Sequence, residues 1–158
     1  MKKLILFLAL FLVGGKSMAD TYASMTINNL IGCPLSVTLH AHDACAYSGC
    51  GALQSNLITV PALGSVSYWS IRALQAPVGS PAYWIGLPNT ACSGCSVATC
   101  GWDWASIWLF GTTMGPIIGN AECFGHSVLS IPMGTCTGGS ATVTWYDDGT
   151  GNITITIS

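Results

Sequence analysis

The stretch ATVTWYDDGTGNITITI, residues 141–157, decides the fold. Val143 and Trp145 alternate with Thr142, Thr144 and Tyr146, and Ile153, Ile155 and Ile157 alternate with Thr154 and Thr156. A period of two sends one set of side chains to a buried face and the other to a solvated face, as in half-buried antiparallel strands. Between the runs 141–146 and 152–157 lies Asp147-Asp148-Gly149-Thr150-Gly151, an Asp- and Gly-rich loop suited to the positive φ of a hairpin. The chain therefore ends in a β-hairpin.

The same pattern extends upstream, and helix signals are nearly absent. Strands are expected at 22–28, 35–40, 57–60 and 65–71, the last two joined by Pro61-Ala62-Leu63-Gly64, a sequence suited to a tight turn. Shorter apolar runs at 82–87, 105–110 and 127–131 add further strands, the last closed by Pro132. Many short strands with no helix between them imply a single all-β domain, an antiparallel β-sandwich of jelly-roll or Greek-key type. The segments 41–56, 88–103 and 111–125 are expected to be loops.

Residues 1–19 have the layout of a secretory signal peptide. Met1-Lys2-Lys3 is a short basic region, Leu4 to Val13 an apolar run too short to span a bilayer, and Ser17 and Ala19 precede a cut before Asp20. The mature domain is then 20–158, and the short basic leader is of bacterial type. The expected location is extracellular or periplasmic. Loss of Lys2, Lys3 and Lys16 leaves Arg72 as the one basic side chain besides the histidines, against six acidic ones, a formal charge of −5. Such a chain cannot neutralise a run of phosphates, so nucleic acid and anionic membranes are excluded as partners. Residues 104–121 carry no charge, but Gly111, Gly115, Pro116 and Gly119 interrupt them, and no membrane insertion is expected after the leader is removed.

Eight cysteines in an exported chain imply a disulfide framework. Cys33, Cys45, Cys50, Cys92, Cys95, Cys100, Cys123 and Cys136 are all expected to be paired, with Cys45–Cys50 the nearest local bridge and two of Cys92, Cys95 and Cys100 joined, leaving the third to reach Cys123, Cys33 or Cys136. Cys92-Ser93-Gly94-Cys95 is a single CxxC without a second pair at matching spacing, so it reads as a staple rather than a zinc or redox site.

The ionisable inventory is poor. His40 and His42 lie two apart on an expected strand end and could face one metal ion with His126, but no ligand motif accompanies them. Asp103 and Glu122 could approach across loops as a carboxylate pair, yet nothing in the sequence positions them. Without a nucleophile elbow or an HExxH helix the chain reads as non-enzymatic, with no cofactor and no metal. Asn152-Ile153-Thr154 has the form of a glycosylation sequon but reads as ordinary strand sequence.

Trp102, Trp104 and Trp108 share one face if 102–110 is a regular strand, with Asp103, Ala105, Ile107 and Leu109 on the other. A strand apolar on both sides has a face left over in a two-layer sandwich, which makes these indoles a candidate binding surface. Two functions compete. The first is a secreted structural or adhesive protein, a surface, matrix or fibre subunit associating with itself or with other surface proteins. The second is a carbohydrate-binding module presenting the Trp-rich surface to a polysaccharide. The strand at 152–157 has no Lys or Pro, and on a sheet edge it would offer backbone groups for another copy to extend.

Overall fold

A computed structural model describes residues 23–43, 49–86, 100–108, 115–123, 125–133, 136 and 138–158. Among the described residues, ten strands form two packed sheets. They are β1 (Met25–Asn29), β2 (Leu35–Asp43), β3 (Leu53–Gln54), β4 (Ile58–Val60), β5 (Gly64–Tyr68), β6 (Cys100–Trp108), β7 (Ile117–Gly119), β8 (Val128–Pro132), β9 (Ser140–Asp147) and β10 (Ile153–Ile157). The first sheet has the order β5-β1-β10-β9-β8; the second has β3-β2-β6-β7, with β4 also paired to β2. All pairs are antiparallel except β1 with β10, which run parallel. No helix among the described residues is long and apolar enough to cross a membrane.

The core follows from the alternation. Met25, Ile27, Val143, Ile153, Ile155 and Ile157 point inward from the first sheet and meet Leu35, Val37, Leu39, Ala105, Ile107 and Ile118 from the second. Each large aliphatic side chain fully buried this way contributes about 1.5–3 kcal/mol. Truncating a central one such as Ile155 to Ala would cost about 2–5 kcal/mol by adding a cavity to the lost transfer energy.

Four expectations change. First, β10 lies between β1 and β9, so it is an inner strand, and its lack of Lys and Pro reflects pairing on both sides. Second, β2 runs on to Asp43 and β6 begins at Cys100, so the segments expected as loops at 41–56 and 88–103 are partly the middle of the second sheet. Third, the run at 65–71 ends at Tyr68, where Ser70 caps a 3-10 turn over Ile71–Leu74 by accepting from the Arg72 N–H. Fourth, within 82–86 only Trp84 makes a β-bridge, to Ser55.

Two disulfides between described residues staple the sandwich. Cys33–Cys136 joins the β1–β2 and β8–β9 connections with Cα atoms 6.2 Å apart, and Cys50–Cys123 joins the loop after β2 to a 3-10 turn after β7 at 5.4 Å. Cys100 is also disulfide-bonded, and no described cysteine is free. The expected local bridge Cys45–Cys50 is corrected, because Cys50 pairs with Cys123 across 73 residues rather than with a near neighbour. Closing loops of 73 and 103 residues restricts the unfolded chain by about 4–5 kcal/mol each on the chain-entropy account. Cys45, Cys92 and Cys95, and with them the CxxC, lie outside the described residues.

Candidate functional site

A single extra residue reorganises the Trp-rich strand. β2 and β6 pair Thr38 with Ser106, Leu39 with Ala105 and His40 with Trp104, but the next β2 residue, Ala41, pairs with Trp102. Asp103 is therefore a β-bulge, and it inverts the alternation beyond it. Trp102 joins Ala105 and Ile107 on the core side, only 4% exposed, with its indole N–H donating to Ala23 O at 2.6 Å and its ring 5.9 Å from that of Trp84. Trp104, Ser106 and Trp108 remain on the outer side beside His40, Thr38 and Ser36. The three indoles expected to share one face are thus divided between two. Trp104 stacks on His40, and Trp108 is half-buried with an indole N–H that has no hydrogen-bond acceptor among the described residues.

The bulge aims Asp103 at β2. Its carboxylate, in a residue 1% exposed, accepts from His42 Nδ1 at 2.7 Å and from the Gly51 N–H at 2.6 Å. Two glycines make this possible. Gly51 sits at φ +66°, against Trp104 so closely that a Cβ would collide with the indole nitrogen. At Gly101, paired with His42, a Cβ would press on the imidazole at 2.8 Å. The Cys50–Cys123 disulfide packs against Asp103 and holds the 49–51 turn over the sheet. Burial lowers the pKa of His40, opposed by its contact with Gly51 O and by the nearby Asp103 charge.

His42 lies at the edge of an open cleft of about 450 Å³ whose other walls include Trp102, Asn120 and the 147–151 hairpin loop. The Asp103 carboxylate orients the imidazole, so the pair can present a hydrogen-bonding nitrogen to the cleft. Among the described residues, no hydroxyl or thiol is hydrogen-bonded to His42. Cys50, Asp103 and Cys123 approach one another as metal ligands would, but the two sulfurs share a disulfide and offer no thiolate. His126 is exposed, and Glu122 is exposed on the 3-10 turn while Asp103 is buried on His42.

The first sheet presents a different outer face. Ser65, Asn28, Thr156, Thr144 and Val128 form one row across all five strands, and Ser67, Thr26, Thr154 and Tyr146 a second. Thr142 and Ser130 begin a third. No Lys, Arg, Asp or Glu stands in these rows. At about 4.8 Å between strands the first spans roughly 19 Å. Tyr146 is 63% exposed, and Trp69, two residues beyond Ser67, is 59% exposed. The hairpin beside this face is rigidly tied. Asp148 accepts from the Thr150 N–H, the Thr150 hydroxyl and the Asn152 side-chain amide, which hold its pKa down to about 2. Asn152 in turn accepts from the Ser24 N–H and hydroxyl, so the sequon asparagine bridges β10 to the residue before β1.

Reading the indoles alone overlooked this face, although its signal, the Thr-x-Thr alternation of 142–146 and 154–156, was present; what was missing was the neighbour order that aligns it with Ser65, Ser67, Thr26 and Asn28. Compared with protein-family models, with curated proteins and with solved structures, the chain matches none of them.

Proposed function

We propose that the chain is a secreted, non-enzymatic adhesive protein whose contact surface is the outer face of the first sheet and whose partner is an uncharged polyhydroxylated surface, a polysaccharide. The observation that carries this reading is the charge-free field of Ser, Thr and Asn side chains spanning all five strands. A hydroxyl is both donor and acceptor, so each position can answer either polarity of a sugar hydroxyl without leaving a buried polar group unpaired. The rings of Tyr146 and Trp69 add amphipathic contact area at the margins. Secretion is supported by the leader-like N-terminus and by disulfides, which persist in oxidising compartments. Compared with the Trp102–Trp108 surface, this face has the advantage of exposure.

The test is depletion of the mature protein from solution by insoluble uncharged polysaccharides, cellulose and chitin, beside a polyanionic one. Thr154→Glu/Thr156→Glu, which charges the centre of the face, should reduce retention at least tenfold, while Trp104→Ala leaves it unchanged. Retention on neither uncharged polymer, or loss with Trp104→Ala alone, would reject the reading.

A further inference from the structure

We infer that copies of this protein assemble head to tail through the two edges of the first sheet, the β5 edge of one copy pairing with the β8 edge of the next. Three independent features of the sheet fit such a joint. The first is direction. β5 runs antiparallel to β1, β1 parallel to β10, and β9 and β8 reverse in turn, so β5 and β8 point in opposite directions at opposite edges. A neighbour in the same orientation therefore brings its β8 antiparallel to β5, the favoured ladder.

The second is parity. Trp145 N–H donates to Ser127 O and Met133 N–H to Gly139 O, so the odd-numbered residues of β8 face β9, and the backbone groups of Val128, Ser130 and Pro132 face outward. On the other side Ser24 O and Leu30 N–H bond β10, which leaves Met25, Ile27 and Asn29 facing β5 and turns the backbone of Ser65 and Ser67 outward. At both edges the residues with outward backbone groups also carry their side chains on the solvent face. Setting Ser65 opposite Ser130 and Ser67 opposite Val128 then closes a four-bond ladder with both core faces on the same side. In that register Pro132 falls beyond the ladder, where its missing N–H removes no bond.

The third is what the joint covers. Val66 and Leu129 face inward yet are only half-buried at the rims, and the register places them opposite each other. No Lys, Arg, Asp or Glu stands on either edge strand, so the charges that commonly keep edges apart are missing. Because the two edges differ, the contact is heterologous and does not close on itself; the assembly is an open filament. It would also repeat the hydroxyl-bearing face from copy to copy, so many weak contacts to a polymer would act together. The assembly does not depend on which ligand that face takes.

Two proline variants test it, each removing an outward N–H at one edge: Ser67→Pro blocks β5 and Ser130→Pro blocks β8. In sedimentation velocity the wild type should show mass rising with concentration past the dimer. Each variant alone should stay monomeric, and an equimolar mixture should form dimers and stop there, since one live β5 and one live β8 remain. Ser65→Lys and Ser130→Lys, at exposed side chains, repeat the experiment should a proline variant fail to fold. A wild type that stays monomeric at millimolar concentration, a closed wild-type dimer, or dimers of Ser130→Pro alone would overturn the inference. Retention of each monomeric variant on polysaccharide is read separately, so failure of one reading leaves the other standing.

Discussion

The two sheets are built on the same alternation, but their outer faces diverge. On the first sheet the outward residues are mostly hydroxyls, with the Asn28 amide and Val128, and among the described residues no clamped turn covers them. On the second, Thr38, His40 and Ser106 are buried, and a turn clamped by the Cys50–Cys123 disulfide packs against His40 and Trp104. The difference originates in what each face can leave in water. Thr and Ser on a pleated surface need no cover, whereas a stacked His40–Trp104 pair and a buried carboxylate do. One face is therefore available for contact, and the other is an interior wall with a cleft at its margin.

The largest test of this contrast is to remove the clamp. Replacing both Cys50 and Cys123 by Ser should lower global stability by about 4 kcal/mol, read from the denaturant midpoint. Amide exchange should accelerate in β6 and β7 much more than in β9 and β10. Equal acceleration in both sheets would mean that the cover is not a local device.

Next in size is Asp103→Ala, which strips the acceptor from both the Gly51 N–H and His42 Nδ1. Leaving these partly buried donors unpaired should cost about 1–3 kcal/mol. Thr156→Val, on the open face, should stay within about 0.5 kcal/mol. A cost for Thr156→Val comparable to that of Asp103→Ala would erase the distinction between a covered wall and a solvated one.

The covered face should also sense pH. Burial lowers the pKa of His40 in the folded state, so the folded protein binds its proton less readily than the unfolded chain does. Stability is then fully present above the ordinary value of 6.5 and falls as pH drops from there through the lowered folded value. His40→Phe keeps an aromatic partner for Trp104 and cannot titrate. Its melting temperature should change less between pH 7 and pH 5 than that of the wild type. An unchanged slope would assign the proton uptake elsewhere.

How much of this was legible in the sequence depends on where the period of two is kept. In β9 and β10 it is unbroken, and strands, inward residues and hairpin loop all follow from it. In β6 one inserted residue, Asp103, reverses the faces, and no single-strand pattern marks which residue will bulge until its partner β2 is known. The disulfide framework was legible as a count but not as connections, since Cys50–Cys123 depends on a turn that folds back over a sheet. The His42–Asp103 pair has the same origin: both positions fall in segments expected as loops, and it is the bulge that brings them to 2.7 Å. Whether 152–157 lies at an edge or inside the sheet is open in the sequence, because strand order is set by the parallel β1–β10 pairing, which leaves no trace in either strand alone.

The smallest expected effect bears on the indoles that the bulge separates. Trp102→Phe removes the donor to Ala23 O, leaving a carbonyl inside the core without its partner, and also shrinks a well-packed ring, so a cost of about 2–3 kcal/mol is expected. Trp108→Phe removes a buried indole N–H that has no acceptor among the described residues. Relief of that unpaired donor, worth about 1–3 kcal/mol, opposes the loss of ring contact, and the net change should be near zero. Both substitutions delete the same atoms from the same strand, so protein-wide effects of indole loss cancel in the difference. Denaturant unfolding of the two variants should place Trp102→Phe below Trp108→Phe by more than 1 kcal/mol. Equal costs would mean that the two rings share an environment after all, and that the alternation runs through Asp103 without a break.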